Sequence, residues 1–247
     1  MTVEKTTLGE LVCTVITPTG CELPPRRVVI LCHGFGAPGT DLVPLAGELL
    51  RLNRVLEQTT CFVFPRGPLS LDEFGLPTGR AWWPVDIERF AAAVETGNYD
   101  LLRHETPVGL VEAREKLIAL INDVRQTFDV STGQIILGGF SQGAMLTTDT
   151  ALSLPQRPGG LCIFSGTLLC EEQWRELAAV RGPLPVLQSH GRQDPLLPFP
   201  AAEWLRDMLT AAGLPVEFLP FDGMHTIPAA AVERCAALLG VDPQNPI

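Results

Sequence analysis

One stretch of ten residues, 134 to 143, constrains this chain more than any other. An apolar run, Ile135-Ile136-Leu137, feeds Gly138-Gly139-Phe140-Ser141-Gln142-Gly143, and a helical pattern follows over 144–152. A strand that enters a helix through a single serine needs a sharp, strained turn, which lifts the hydroxyl above the end of the strand. Side chains two residues before and after that serine would collide with strand and helix, so glycine is the acceptable residue at 139 and 143. The new helix also points amide N–H groups and the positive end of its dipole at the same spot. Ser141 is therefore a candidate nucleophile. A bare Gly-x-Ser-x-Gly can also be a capped helix start, so the reading depends on partners elsewhere.

Those partners are sought in a chain of alternating elements. Apolar runs at 11–17, 27–32, 61–65, 134–140, 160–164, 185–189 and 216–220 read as strands, most of them nearly continuous in Val, Ile, Leu, Phe and Cys. Strands covered on both faces have that composition. Between them Leu42, Leu45, Leu49, Leu52 and Leu56 recur at helical spacing. Thr106-Pro107 reads as the first turn of a helix carrying the stripe Leu117, Ile118, Ile121, Val124 and Phe128. Further helices are expected after Ser141 and over 171–180, 200–212 and 229–239. The alternation predicts one α/β domain over 1–247, a mostly parallel central sheet of about seven strands flanked by helices. Residues 66 to about 105 break the rhythm, and an irregular stretch of that length in a compact domain is expected to be a functional, lid-like insertion.

The charge balance, 18 basic against 28 acidic residues for a net −10, argues against a nucleic-acid partner and against attachment to anionic lipid. It leaves a neutral or apolar small-molecule substrate open. No apolar run approaches the roughly 18–20 residues of a membrane span, so no integral membrane association is expected. Met1-Thr2-Val3-Glu4-Lys5 lacks the basic start and apolar core of a signal peptide. The seven cysteines include no Cys-x-x-Cys pair, and Cys13, Cys32, Cys61 and Cys162 sit in apolar runs, where a free thiol behaves as a small hydrophobe. A reducing cytoplasm is the expected compartment.

Four histidines limit the choice of a base. His33 and His104 precede Ser141. His190 follows a strand directly and leads into Gly191, which suits it to shaping a turn. His225, in the loop after the last strand, can reach over the sheet edge to the Ser141 hydroxyl. Asp194, just past the preceding strand, is a loop carboxylate able to fix the His225 tautomer and stabilise an imidazolium. Asp222, three residues before His225, is its rival. Ile30-Leu31-Cys32-His33-Gly34-Phe35-Gly36 reads as a strand ending in a glycine loop, whose Phe35 N–H can pair with that of Gln142 to hold an oxyanion. His33 and His190 lack metal-ligand spacing, so neither metal nor other cofactor is expected. Leu69, Leu71, Phe74, Trp82 and Trp83 are expected to wall an apolar acyl site, the tryptophans being equally suited to core packing.

These pieces resemble the phospholipase/carboxylesterase family of α/β-hydrolases, which includes acyl-protein thioesterases and small bacterial carboxylesterases. The resemblance rests on residues 31–36, Phe64-Pro65-Arg66-Gly67-Pro68, Arg80-Ala81-Trp82-Trp83, residues 136–144, His190-Gly191-Arg192-Gln193-Asp194-Pro195-Leu196-Leu197-Pro198 and Gly223-Met224-His225. It implies an α/β-hydrolase fold, a Ser141–Asp194–His225 triad and oxyanion amides at Phe35 and Gln142. The implied reaction is that of a carboxylesterase, lysophospholipase-like enzyme or acyl-thioesterase working through an acyl-enzyme on Ser141. A homodimer is left open. Two departures concern the substrate. Ala81-Trp82-Trp83-Pro84-Val85-Asp86 stands where the family more usually has Ala-Trp-Phe/Tyr-Asp, and the segment from Asp86 to Thr106 is longer than in the compact thioesterases. Another hydrolase on this fold, of peptidase or dienelactone type, and a non-catalytic binding protein are the alternatives. The serine nucleophile weighs against the first, and retention of all three triad candidates weighs against the second.

Overall fold

Apolar strands covered on both faces set the middle of the sheet. In a computed structural model, which describes residues 1–241, the strands are β1 (Thr2–Leu8), β2 (Leu11–Thr17), β3 (Arg27–Cys32), β4 (Thr60–Pro65), β5 (Leu69–Ser70), β6 (Arg80–Ala81), β7 (Ile135–Phe140), β8 (Gly160–Phe164), β9 (Val186–Gly191) and β10 (Val216–Phe221). Two of them, β5 and β6, form a separate hairpin. The other eight make one sheet in the order β1-β2-β4-β3-β7-β8-β9-β10. Every residue of β3, β4, β8 and β9 is buried. Pairing is parallel from β4 through β3 to β10 and antiparallel at β1–β2 and β2–β4.

The sheet holds eight strands rather than about seven, and β1 is the addition. Its sequence, Thr-Val-Glu-Lys-Thr-Thr-Leu, offers no apolar run, and its first four residues are exposed. It is held by backbone pairing to β2 through a two-residue turn, Gly9-Glu10, where φ is 54° and 68°. Two positive φ values suit the right-handed twist of a tight hairpin.

The helices are α1 (Pro44–Leu52), α2 (Leu56–Thr59), α3 (Ile87–Glu95), α4 (Leu110–Phe128), α5 (Gln142–Ser153), α6 (Glu171–Ala179), α7 (Phe199–Ala211) and α8 (Ala229–Gly240). The leucine stripe over 42–56 is split at Asn53, whose side chain donates to the Ala236 carbonyl and accepts from Val55 N–H. Thr106-Pro107 lies outside the next helix. It starts at Leu110, after Gly109 at φ 90°, where a Cβ would come within 3.1 Å of the Trp83 Cβ. Along β3 the side chains alternate. Val28, Ile30 and Cys32 pack with α4–α7, whereas Val29 and Leu31 pack with α1 and α8. Helices thus cover both faces, as crossovers between parallel strands require.

Residues 66–105 are more ordered than their composition suggests. They contain the β5–β6 hairpin, two short 3-10 turns (Asp72–Phe74 and Tyr99–His104) and α3. The Asp86 carboxylate caps α3 by accepting from Arg89 N–H at 2.9 Å. No residue of α3 is fully buried, although Ile87, Phe90, Ala91 and Val94 recur at helical spacing along its nine residues. Among the described residues no helix is long and apolar enough to cross a membrane.

Candidate active site

The four stretches singled out by the sequence follow β3, β7, β9 and β10. These strands run parallel, so all four stretches emerge at one edge of the sheet, beyond the strand carboxyl ends, where such folds bind ligands. At the centre, Ser141 takes φ 54° and ψ −119°, a conformation that costs a non-glycine residue about 1–3 kcal/mol. Its N–H donates to the Phe164 carbonyl at 2.9 Å. The flanking glycines let this turn exist. A Cβ on Gly139 would sit 2.4 Å from the Gly143 carbonyl carbon, and one on Gly143 would sit 2.1 Å from the Cys32 carbonyl oxygen. Both obstacles are backbone and cannot swing aside. Gly143→Ala is therefore expected to cost about 1–3 kcal/mol through overpacking, or a Tm loss of about 3–10 °C for a chain of this size. A melt followed by circular dichroism checks it, and an unchanged Tm would contradict the packing described.

The two candidate oxyanion donors flank this serine. Gln142 is the first residue of α5, and Phe35 lies in the loop after β3. Among the described residues neither N–H donates to another group of the chain, and both residues line the same cleft as Ser141. Free amides converging at a helix N-terminus stabilise a developing anion.

His225 and Asp194 meet across two loops: His225 Nδ1 lies 2.6 Å from Asp194 Oδ2. The other carboxylate oxygen accepts from Leu196 N–H and Leu197 N–H, both at 2.9 Å. Burial pushes the Asp194 pKa up, but the His225 contact and these amides outweigh it and hold the carboxyl below its ordinary value. The His225 ring packs on Phe140, the residue before Ser141, with centroids 4.6 Å apart. Among the described residues no hydrogen bond joins His225 to the Ser141 hydroxyl, and such contacts commonly tighten only with substrate. Asp222 stands apart. Its side chain is 87% exposed, and its ion-pair partner is Arg192 at 3.8 Å. His190 is buried at the end of β9, donates from Nε2 to the Leu197 carbonyl at 2.8 Å, and so ties down the loop that carries Asp194. His33 is buried too, its Nδ1 on the Gly34 carbonyl and its Nε2 accepting from Gly67 N–H. Among the described residues no three His, Cys, Asp or Glu side chains cluster as metal ligands would.

A cleft of about 630 Å³ opens beside Ser141. Of the five residues expected to wall it, Trp83 does so. Trp82 and Leu71 are buried elsewhere, Leu69 is 36% exposed and Phe74 is 77% exposed. The wall comes instead from Met145 on α5, from Leu168 and Leu169 after β8, from Leu196 and Leu197 after β9, from Trp204 on α7 and from 84–108. Phe90, Tyr99 and Leu102 belong to that last segment, and Tyr99 stacks on Trp204 with centroids 5.7 Å apart. The signal for the missed residues was positional. Leu168, Leu169, Leu196 and Leu197 all follow strand ends at the edge that already carried the other candidates.

A doubly wound sheet with a serine raised on a strained turn at its carboxyl edge defines the α/β-hydrolase class. Within that class the chain belongs to the phospholipase/carboxylesterase family, whose model matches residues 15–239. It is 33% identical over 195 residues to acyl-protein thioesterase 1 of Eremothecium gossypii, covering 76% of this chain and 74% of that protein. The corresponding Saccharomyces cerevisiae protein is 30% identical over 186 residues, covering 71% and 73%. Among solved structures, esterase PE8 is similar at TM-score 0.76 and 27% identity over 97% of this chain and 98% of that one. A carboxylesterase from Mesorhizobium loti shares the fold at TM-score 0.73 and 17% identity, covering 97% and 99%. The chain is accordingly a serine hydrolase of the ester- and thioester-cleaving kind.

Proposed function

We propose that this chain cleaves esters or thioesters of apolar acyl groups through an acyl-enzyme on Ser141, with His225 as base and Asp194 as the acid that orients it. The observation that carries this reading is the 2.6 Å contact between Asp194 and His225 Nδ1, at the sheet edge that presents Ser141. A proton held on Nδ1 by the carboxylate leaves Nε2 bare to accept the serine proton. Ser141 then attacks the carbonyl carbon, and the Phe35 and Gln142 amides take the charge on its oxygen. His225 returns the proton to the leaving alcohol or thiol, and water repeats the sequence to free the acid. The names of the fungal relatives support a thioester as substrate. The mostly apolar cleft, with Phe90, Leu102, Met145 and Trp204 on its walls, supports a hydrocarbon acyl group, and the net charge of −10 fits a neutral one. Seven free thiols fit a reducing cytoplasm.

Two measurements test the reading together: labelling with a fluorophosphonate, and rates on p-nitrophenyl esters and acyl-thioesters of increasing chain length. Each methylene buried in such a cleft contributes about 0.8 kcal/mol, so kcat/KM is expected to climb about two- to fourfold per CH₂ from acetyl to at least octanoyl. An optimum at acetyl would remove the apolar-acyl reading, and absence of labelling would remove the serine.

A further inference from the structure

We infer that the Gln142 side chain and Trp82 are positioning residues that hold the two halves of the oxyanion hole in register. The inference rests on the proposed role of the Phe35 and Gln142 amides and explains how two N–H groups from separate parts of the chain are kept convergent.

The segment from Arg80 to Trp83 runs between those two halves and is bonded to both. On one side Gly36 N–H donates to the Arg80 carbonyl at 2.9 Å, and Arg80 N–H donates to the Ala37 carbonyl at 3.0 Å. The Trp82 indole N–H donates to the His33 carbonyl at 2.8 Å, and its ring lies 5.1 Å from that of His33. Phe35 is enclosed by these contacts at positions 33, 36 and 37. On the other side Trp82 N–H donates to Gln142 Oε1 at 2.9 Å, and Gln142 Nε2 donates to the Trp83 carbonyl at 2.9 Å. Gln142 is 2% exposed, so its amide is committed to these two backbone groups. A buried amide of this kind is costly when unpartnered and directional when satisfied. An apolar residue could fill the same space, but it could not fix the rotation of α5's first turn against the 80–83 segment. Small misplacements matter here, because an oxyanion donor works only within a few tenths of an ångström of its mark. Gln142 thereby acts twice, through its backbone N–H on the oxyanion and through its side chain on the frame that aims both donors. Trp83, which lines the cleft, is part of that frame.

The test uses Gln142→Met, which keeps the backbone amide and the side-chain length but loses both bonds. It is paired with Trp82→Phe, which keeps an aromatic ring but loses the donor to His33. For each, kcat and KM on an octanoyl ester, the Kd of a trifluoromethyl ketone that forms a tetrahedral adduct on Ser141, and the Tm are measured, with activity normalised to folded protein. Both variants are expected to lose about 10- to 100-fold in kcat, less than the outright loss of an oxyanion donor. KM is expected to stay within threefold, and the affinity for the ketone to fall in parallel with kcat. The inference is overturned if folded Gln142→Met and Trp82→Phe keep wild-type kcat. It is equally overturned if the loss tracks Tm or KM and spares ketone binding. Ser141→Ala is run alongside. An active Ser141→Ala would remove the proposed mechanism itself, whereas an inactive one beside a fully active Gln142→Met would remove only the brace.

Discussion

Ser141→Ala is expected to lower kcat on an acyl ester by about 10⁵- to 10⁶-fold, the scale seen when a triad serine is removed, and to abolish fluorophosphonate labelling. The change deletes one oxygen and keeps the Cβ, so the turn at φ 54° is neither relieved nor tightened. Among the described residues the hydroxyl bonds no other group, so its removal strands no partner. Stability is therefore expected to stay within about 0.5 kcal/mol, with a Tm indistinguishable from wild type. That combination separates a nucleophile from a helix cap, because losing a capping side chain costs about 0.5–2 kcal/mol and no catalysis. The Phe35 and Gln142 amides survive in the variant, so a residual rate above that in water is expected. Retained labelling would remove Ser141 from the mechanism, whatever the neighbouring residues do.

The legible parts of this molecule are those governed by local sterics or by complete burial. Gly139 and Gly143 were readable because the strand–serine–helix turn admits only glycine on either side of Ser141, with neighbouring backbone of Gly143 and of Cys32 at 2.1–2.4 Å. The strands β3, β4, β8 and β9 were readable because burial on both faces demands unbroken apolar runs. By contrast, β1 is a polar edge strand held by backbone pairing, and α3 buries none of its residues. The first leaves no apolar period, and the second's Ile87, Phe90, Ala91 and Val94, though at helical spacing, lie in a helix of only nine residues. The cleft wall was hard to read for a different reason: an aromatic residue in sequence does not say which way it faces. Trp82 turns inward to bond the His33 carbonyl, its neighbour Trp83 reaches the cleft, and Phe74 faces solvent. The wall is assembled from strand-end loops far apart in sequence, and only their shared place beyond the parallel strands unites them.

Position beyond the strand ends also sets Asp194 and Asp222 apart. Asp194→Asn is expected to lower kcat by about 10⁴-fold, whereas Asp222→Asn is expected to stay within about twofold, as for an exposed charge with a distant partner. In the wild type the Asp194 carboxylate accepts the Nδ1 proton of His225 at 2.6 Å. An asparagine there can satisfy Leu196 and Leu197 through its carbonyl oxygen, and it then turns its NH₂ toward His225. That amide donates rather than accepts, which forces the proton onto Nε2 and leaves nothing to take the serine proton. The substitution also acts on stability. Because the folded pKa of Asp194 is depressed despite burial, ionisation stabilises the fold above the unfolded pKa of about 3.9. That contribution fades as pH falls through the lower folded value. Asp194→Asn should therefore melt below wild type at pH 7, with the gap closing at acid pH. Asp222→Asn, whose side chain is 87% exposed beside Arg192 at 3.8 Å, should track wild type throughout. Steady-state rates and melts of both variants between pH 3 and 8 decide the matter. Loss of activity in Asp222→Asn with survival of Asp194→Asn would reverse the assignment of the acid.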